Sequence, residues 1–244
     1  MFQSFKQKVK CRLSRQLMLA ARDIEAARQF RAAHESAAFV DQQMSMAQSY
    51  QNKFALLKDA MARVAFPGLY CEFGVYRGET INFIASLAPG EVHGFDSFQG
   101  LPEDWRQGFQ KGKFAVGALP KVRPNVRLHK GWFEDTIPPF REQHLERIAF
   151  LHLDADLYSS TRTVFERLGD RIVPGSVIAF DEFFNYPGWR EGEYKAFLEF
   201  CQERCAEVRY LGFVGRDEQA AAQVTSILPD NRKVIARESE LTAP

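Results

Sequence analysis

Cysteine is scarce in this chain: four among 244 residues, Cys11, Cys71, Cys201 and Cys205, with neither zinc-knuckle pairing nor a redox Cys-x-x-Cys spacing. That excludes a metal finger and a disulfide scaffold, and it predicts a reduced, cytoplasmic setting. Cys201 and Cys205 lie a helical turn apart and read as partly buried small hydrophobes. An excess of either charge is also missing, with 32 Lys and Arg against 31 Asp and Glu, so no nucleic-acid partner is expected. No apolar run reaches transmembrane length, and no hydrophobic leader with a small-residue cleavage site opens the chain. Stable membrane insertion and secretion are therefore not expected. Neither GxGxxG nor GxxxxGK[ST] occurs, which weakens a pyrophosphate-loop reading, and no Ser-His-acid order can be assembled. Internal repeats and low-complexity linkers are absent as well.

Proline and glycine are missing from the first 65 residues, which predicts a helical N-terminal extension or lid over 1–65 ahead of an α/β domain over 66–244. Leu13, Leu17, Ala20, Ile24, Ala27 and Phe30 form one helical stripe, and Phe39, Met46, Tyr50, Phe54, Leu57 and Met61 a second. Stripes of this length predict a homodimer through the N-terminal helices, with packing over the chain's own sheet as the alternative. Lys6, Lys8, Lys10, Arg12 and Arg15 make a basic arm, read as a solvated terminus before a contact for lipid or charged substrate. After Pro67-Gly68, short apolar runs alternate with helical segments, the pattern of βαβ units. Strands are expected at 68–73, 92–95, 126–130, 148–153 and 177–180, with short ones at 210–214 and 233–237 separated by an irregular stretch.

Two of these runs end abruptly in acid: Phe150-Leu-His-Leu-Asp154-Ala-Asp156 and Val177-Ile-Ala-Phe-Asp181-Glu182. Ligands of open α/β sheets collect outside the carboxyl ends of the strands. Carboxylates converging there repel one another unless a proton or cation holds them, and a hard divalent ion such as Mg²⁺ is the economical explanation. At the first strand-to-helix crossing, Glu72-Phe-Gly74-Val-Tyr-Arg-Gly78 offers a carboxylate for an amine-bearing cofactor, a tight turn at Gly74 and a helix start at Gly78. Asp96, ending the next strand, can accept the hydroxyls of a ribose or cap the following helix. Trp132 and Phe133 can cover an adenine or anchor their loop. His129, ending its strand, is placed near the cofactor rim, whereas His152 reads as a satisfied core histidine.

The blocks Cys71-Glu-Phe-Gly-Val-Tyr-Arg-Gly-Glu-Thr80, Gly94-Phe-Asp-Ser-Phe-Gln-Gly-Leu-Pro102, Gly131-Trp-Phe-Glu-Asp-Thr-Ile-Pro138, Leu153-Asp-Ala-Asp-Leu-Tyr-Ser-Ser-Thr161 and Asp181-Glu182 together resemble the macrocin O-methyltransferase (TylF-like) family. That family is a branch of the class I S-adenosylmethionine-dependent methyltransferases. The resemblance spans roughly residues 65–200. It implies a Rossmann-like, mostly parallel seven-stranded sheet, Mg²⁺ dependence, and methyl transfer to a hydroxyl of a sugar or small natural product. It carries cofactor binding onto Glu72, Gly74, Val75, Gly78, Thr80, Asp96, Ser97, Gly131, Trp132, Phe133 and Asp154. Metal binding falls on Asp154, Asp181 and Glu182, and the general base on Asp156, for which a helix cap is the structural alternative. Glu182 keeps a carboxylate where many relatives have aspartate.

Tyr158, Ser159, Ser160 and Thr161 read as helix-start chemistry rather than a nucleophilic set. Asn185, Tyr186 and Trp189 either line an acceptor pocket or anchor a Pro/Gly turn, and the polar segment 101–113 is a candidate mobile cover. Two other functions remain open on the residues: an NAD-linked oxidoreductase, and a sugar- or metabolite-binding scaffold without turnover.

Overall fold

The runs that end in acid form the centre of a sheet. In the computed structural model, which describes residues 22–228, Leu69–Phe73 (β2) and Ile148–Leu153 (β5) are buried at every position. Burial on both faces is what a parallel strand covered by helices requires, and it explains why these segments read as continuous apolar runs rather than alternating ones. The other strands are Gln48–Tyr50 (β1), Val92–Asp96 (β3), Val126–Lys130 (β4), Ile172–Phe180 (β6), Ala206–Val214 (β7) and Ala220–Ile227 (β8). They form one 8-stranded sheet in the order β1-β7-β8-β6-β5-β2-β3-β4. All neighbours pair in parallel except β8, which runs antiparallel to both β6 and β7.

The helices Ile24–Gln43 (α1), Lys53–Ala62 (α2), Glu79–Leu87 (α3), Phe133–Gln143 (α4), Tyr158–Leu168 (α5) and Glu193–Arg204 (α6) cover the two faces. On one face Phe39 of α1, Phe140 of α4, Phe165 of α5 and Phe197 of α6 share a core. On the other, Leu57 of α2 and Ile81 of α3 pack with Phe150 and Val177. No helix among the described residues is long and apolar enough to cross a membrane. Strand order reverses between β2 and β5. This places a crevice at the carboxyl ends of β2, β3, β5 and β6, where the acids stand.

Three expectations need correction. The leading segment is not continuously helical: α1 stops at Gln43, and Gln48–Tyr50 joins the edge of the sheet beside Gly212, Phe213 and Val214 of β7. This makes eight strands rather than seven, and it carries the chain from one face of the sheet to the other. The final strand is Ala220–Ile227, in the stretch read as irregular; residues 233–237 lie outside the described residues, as does the basic arm. The first apolar stripe, where described, faces outward, with Ile24 73% and Phe30 68% exposed. The buried face of α1 is instead Ala32, Ser36 and Phe39. Phe39 enters an aromatic group with Phe183, Trp189, Tyr194 and Tyr210, so the helix packs on its own chain. Of the second stripe, Leu57 and Met61 are buried while Met46 is exposed, because β1 breaks the helical period between them.

Candidate active site

Gly74 is forced by the crossing of two strand exits. At φ +93°, a Cβ there would lie 1.7 Å from the carbonyl oxygen of Asp154. The exit of β5 runs close alongside, with the Asp154 amide donating to the Phe73 carbonyl at 2.8 Å. Glycine thus sets how near the cofactor-side loop lies to the acid-bearing loop. Gly78, also left-handed at φ +80°, is the N-cap of α3.

Asp96 clamps the turn after β2. One of its oxygens accepts from the amides of Val75 at 2.8 Å and Tyr76 at 2.7 Å, and the other from Phe98 at 2.6 Å. A carboxylate has about four acceptor sites, so capacity for a further donor remains.

A cavity of about 720 Å³ opens at these strand ends. Gly74, Asp96, Ser97, Trp132 and Phe133 form one part of its wall. Asp154, Asp156, Asp181 and Glu182 form another, and Leu101, Glu103 and Lys111 of the expected cover reach it as well. Val75, Gly78, Thr80 and Gly131 do not line it; Val75 and Thr80 are buried behind the turn. Glu72 does not line it either. It is fully buried and hydrogen-bonded to His152 Nδ1 at 2.8 Å. Burial pushes the Glu72 carboxyl well up and the His152 imidazole down to about 3, so both are held toward their neutral forms.

Asp156 has φ +61°, a left-handed backbone at the one residue proposed to handle a proton. Burial and then the charge of Asp181 raise its carboxyl to about 7, while Arg106 pulls it down. Burial likewise raises Asp154 and Glu182 well above the carboxylate range, with Asp181 adding to both. Asp181 is raised by burial against the opposing pull of Lys53. Ligand atoms of His152, Asp154 and Asp181 lie within 4.8 Å of one another, and Glu182 Oε2 is buried with no hydrogen-bond partner. Within that group Asp154 and Asp181 are the oxygen donors that suit a hard divalent ion, whereas the expected ligand Glu182 lies outside it and only lines the same cavity.

Two residues at the site, Lys53 and Glu193, were not expected from the sequence, and Arg106, inside the expected cover, was given no role of its own. Lys53, at the start of α2, reaches Asp181 at 3.3 and 3.4 Å. Glu193, fully buried in the first turn of α6, accepts from the amides of Ala155 at 3.3 Å and Glu182 at 3.2 Å and from the Thr161 hydroxyl at 3.4 Å. Arg106 lies 3.9 Å from the ring of Trp105 and 4.8 Å from that of Tyr186, and pairs with Glu218 at 3.0 Å. Nothing in local composition marks them, because each meets partners distant in the chain.

Other expectations resolve toward structure. Tyr158 begins α5, and Thr161 binds Glu193. Tyr186 and Trp189 are buried in the aromatic core, so the segment is an anchored turn rather than an acceptor wall. Asn185 ties that turn to α1, its amide donating to Ser36 Oγ at 2.9 Å and its carbonyl accepting from Gln29 at 2.6 Å. His129 does not line the cavity: it stacks on Phe95 and meets His93 at 3.2 Å.

A doubly wound sheet with one antiparallel strand, a glycine exit from β2 and an acid closing β3 define the α/β class I methyltransferase fold. Residues 71–183 match a family described as a methyltransferase domain. The chain is 32% identical over 145 residues to 8-demethyl-8-(2,3-dimethoxy-alpha-L-rhamnosyl)-tetracenomycin-C 4'-O-methyltransferase of Streptomyces olivaceus, covering 48% of this chain and 53% of that protein. It is 29% identical over 166 residues to mycinamicin III 3''-O-methyltransferase of Micromonospora griseorubida, covering 56% and 63%. The crystal structure of a calicheamicin methyltransferase superposes with a TM-score of 0.57 at 27% identity, over 70% of this chain and 77% of that one. The chain spans little more than half the length of the tetracenomycin relative, 53%.

Proposed function

We propose that this protein is an S-adenosylmethionine-dependent, Mg²⁺-assisted O-methyltransferase of the macrocin type, acting on a hydroxyl of a sugar or a small natural product. The observation that carries this reading is the shared cavity. Gly74, Asp96 and Trp132 face it beside Asp154, Asp156, Asp181 and Glu182, so a cofactor wall and an acid wall adjoin. The tetracenomycin and mycinamicin relatives, named as O-methyltransferases, support the hydroxyl acceptor, and the rhamnosyl group in the first name supports a sugar.

In this reading Asp96 keeps the turn after β2 in place and would accept from ribose, and Trp132 and Phe133 would hold the adenine. When bound, the cofactor would supply an electrophilic methyl group, its S–CH3 bond breaking as the O–CH3 bond forms and the neutral thioether S-adenosylhomocysteine leaving. Asp154, Asp181 and Glu182 would hold the ion, which when bound would supply positive charge that lowers the pKa of a nearby hydroxyl. Asp156 accepts the hydroxyl proton. Its carboxyl, raised to about 7, is deprotonated above that pH and is still basic enough to take a proton near neutrality.

The test separates the two acids. Asp154→Asn is expected to weaken Mg²⁺ binding and turnover together. Asp156→Asn is expected to keep most metal and cofactor affinity while the methyl-transfer rate falls about 10²–10⁴-fold. The wild-type rate should rise with pH along a limb that Mg²⁺ moves below the metal-free value of about 7, and the Asp156 variant should lose that limb. Calorimetric titration with S-adenosylmethionine and NAD⁺ checks the cofactor class; binding of NAD⁺ alone would sink the proposal.

A further inference from the structure

Lys53 enters the acid cluster from the leading segment rather than from the sheet. Asn52 caps α2, its side chain accepting from the Ala55 amide at 3.0 Å, and this fixes where the lysine stem leaves the helix. Nζ stands 3.3 and 3.4 Å from the two oxygens of Asp181, nearly equidistant. Both are hydrogen bonds longer than the roughly 2.7–2.9 Å of the tightest charge-assisted pairs, so the ammonium divides its hold between the two oxygens. The pair is well shielded, with the lysine side chain 28% and the aspartate 11% exposed. One residue along, Glu182 Oε2 is buried without a partner. The cluster thus already holds a cation, but a single charge with three donors does not satisfy it.

We propose that Lys53 is the resident counter-cation of this cluster, holding Asp181 until a divalent ion arrives and yielding that carboxylate to it. The inference rests on the metal reading above. A divalent ion brings twice the charge and draws carboxylate oxygens into its own coordination sphere. Lys53 and the ion therefore compete for Asp181, and the affinity of the protein for metal is lowered by the contact that must be given up. Because Lys53 belongs to α2, metal loading is also coupled to the start of that helix.

The test is calorimetric titration of the full-length protein with Mn²⁺, comparing wild type, Lys53→Met and Lys53→Arg at one pH and ionic strength. Methionine keeps much of the apolar stem and removes the charge; arginine keeps the charge. Lys53→Met should bind Mn²⁺ at least about tenfold more tightly, the scale of one charge-assisted contact no longer lost. Lys53→Arg should not. Unchanged or weaker binding by a folded Lys53→Met, with Mn²⁺ binding intact in wild type, overturns this inference alone. Absence of Mn²⁺ binding in all three overturns the metal reading and this inference with it. Should Lys53→Met not fold, a crystal structure of the wild type with Mn²⁺ decides. Nζ beyond 4 Å from Asp181, the outer limit of an ion pair, is expected, and retention of the pair in the metal-bound protein overturns the proposal.

Discussion

Glu193 joins the two acid-bearing loops through single atoms. Its carboxylate receives the amide between Asp154 and Asp156 and the amide of Glu182. Burial raises its carboxyl to about 8, yet both of its oxygens accept from backbone amides, so glutamine can replace only one of the two acceptors. Glu193→Gln should therefore cost roughly 1–3 kcal/mol in chemical denaturation, because one buried amide is left facing an NH2 donor. Glu193→Ala should cost roughly 2–5 kcal/mol, because buried donors lose their acceptor; a smaller loss for alanine than for glutamine would contradict this role. Asp96 shows what sequence can and cannot reveal at this scale. An acid at the end of β3 was legible as a ligand group, but two of its three amide bonds depend on a turn some 20 residues earlier. The same holds for Lys53, 128 residues from Asp181, and for Glu72, whose partner His152 lies 80 residues on.

The segment between β3 and β4 is held over the cavity by Arg106, stacked on Trp105 and paired with Glu218. Arg106→Ala should loosen this cover, increasing protease cleavage within 101–116 and raising the KM for the acceptor about tenfold, on the scale of one charge-assisted contact. Because Arg106 pulls the Asp156 carboxyl down, the rising limb of the pH–rate profile should also move to higher pH. A shift to lower pH would refute the coupling. Elements were legible where composition and burial agree. β5 and the end of β6 are apolar runs closed by acids, β2 is an apolar run around the buried Glu72, and their burial on both faces leaves no other reading. Ala220–Ile227 was missed because its alanines carry little strand signal; they suit β8 because it is inserted between β6 and β7. Gln48–Tyr50 was missed because three residues have no period to detect, and their pairing with β7 is wholly tertiary.

Across the whole molecule, among the described residues, buried acids outweigh buried histidines. Glu72, Asp154, Asp156, Asp181, Glu182, Glu193 and Glu218 all have raised carboxyls, chiefly through burial. Each binds its proton more tightly in the folded state than in the unfolded one. Their stabilisation is fully present below the usual carboxylate range and is lost as pH rises through values such as about 7 for Asp156 and about 8 for Glu193. His93, His129 and His152 are lowered by burial and act in the opposite sense, losing stability as pH falls below about 6.5. The acids are more numerous and their window extends higher. In chelator, the denaturant midpoint should therefore be higher at pH 5.5 than at pH 8, and Mg²⁺ should narrow the gap by favouring the ionised acids. A midpoint that rises with pH in chelator would contradict this balance. The short strand at the margin of the sheet has a different consequence. Gln48–Tyr50 occupies the outward hydrogen-bonding row of β7 at Gly212, Phe213 and Val214. Trimming the chain back to β2 would leave that row open as a template for another molecule's backbone, so the leading segment also guards the protein against edge-to-edge aggregation.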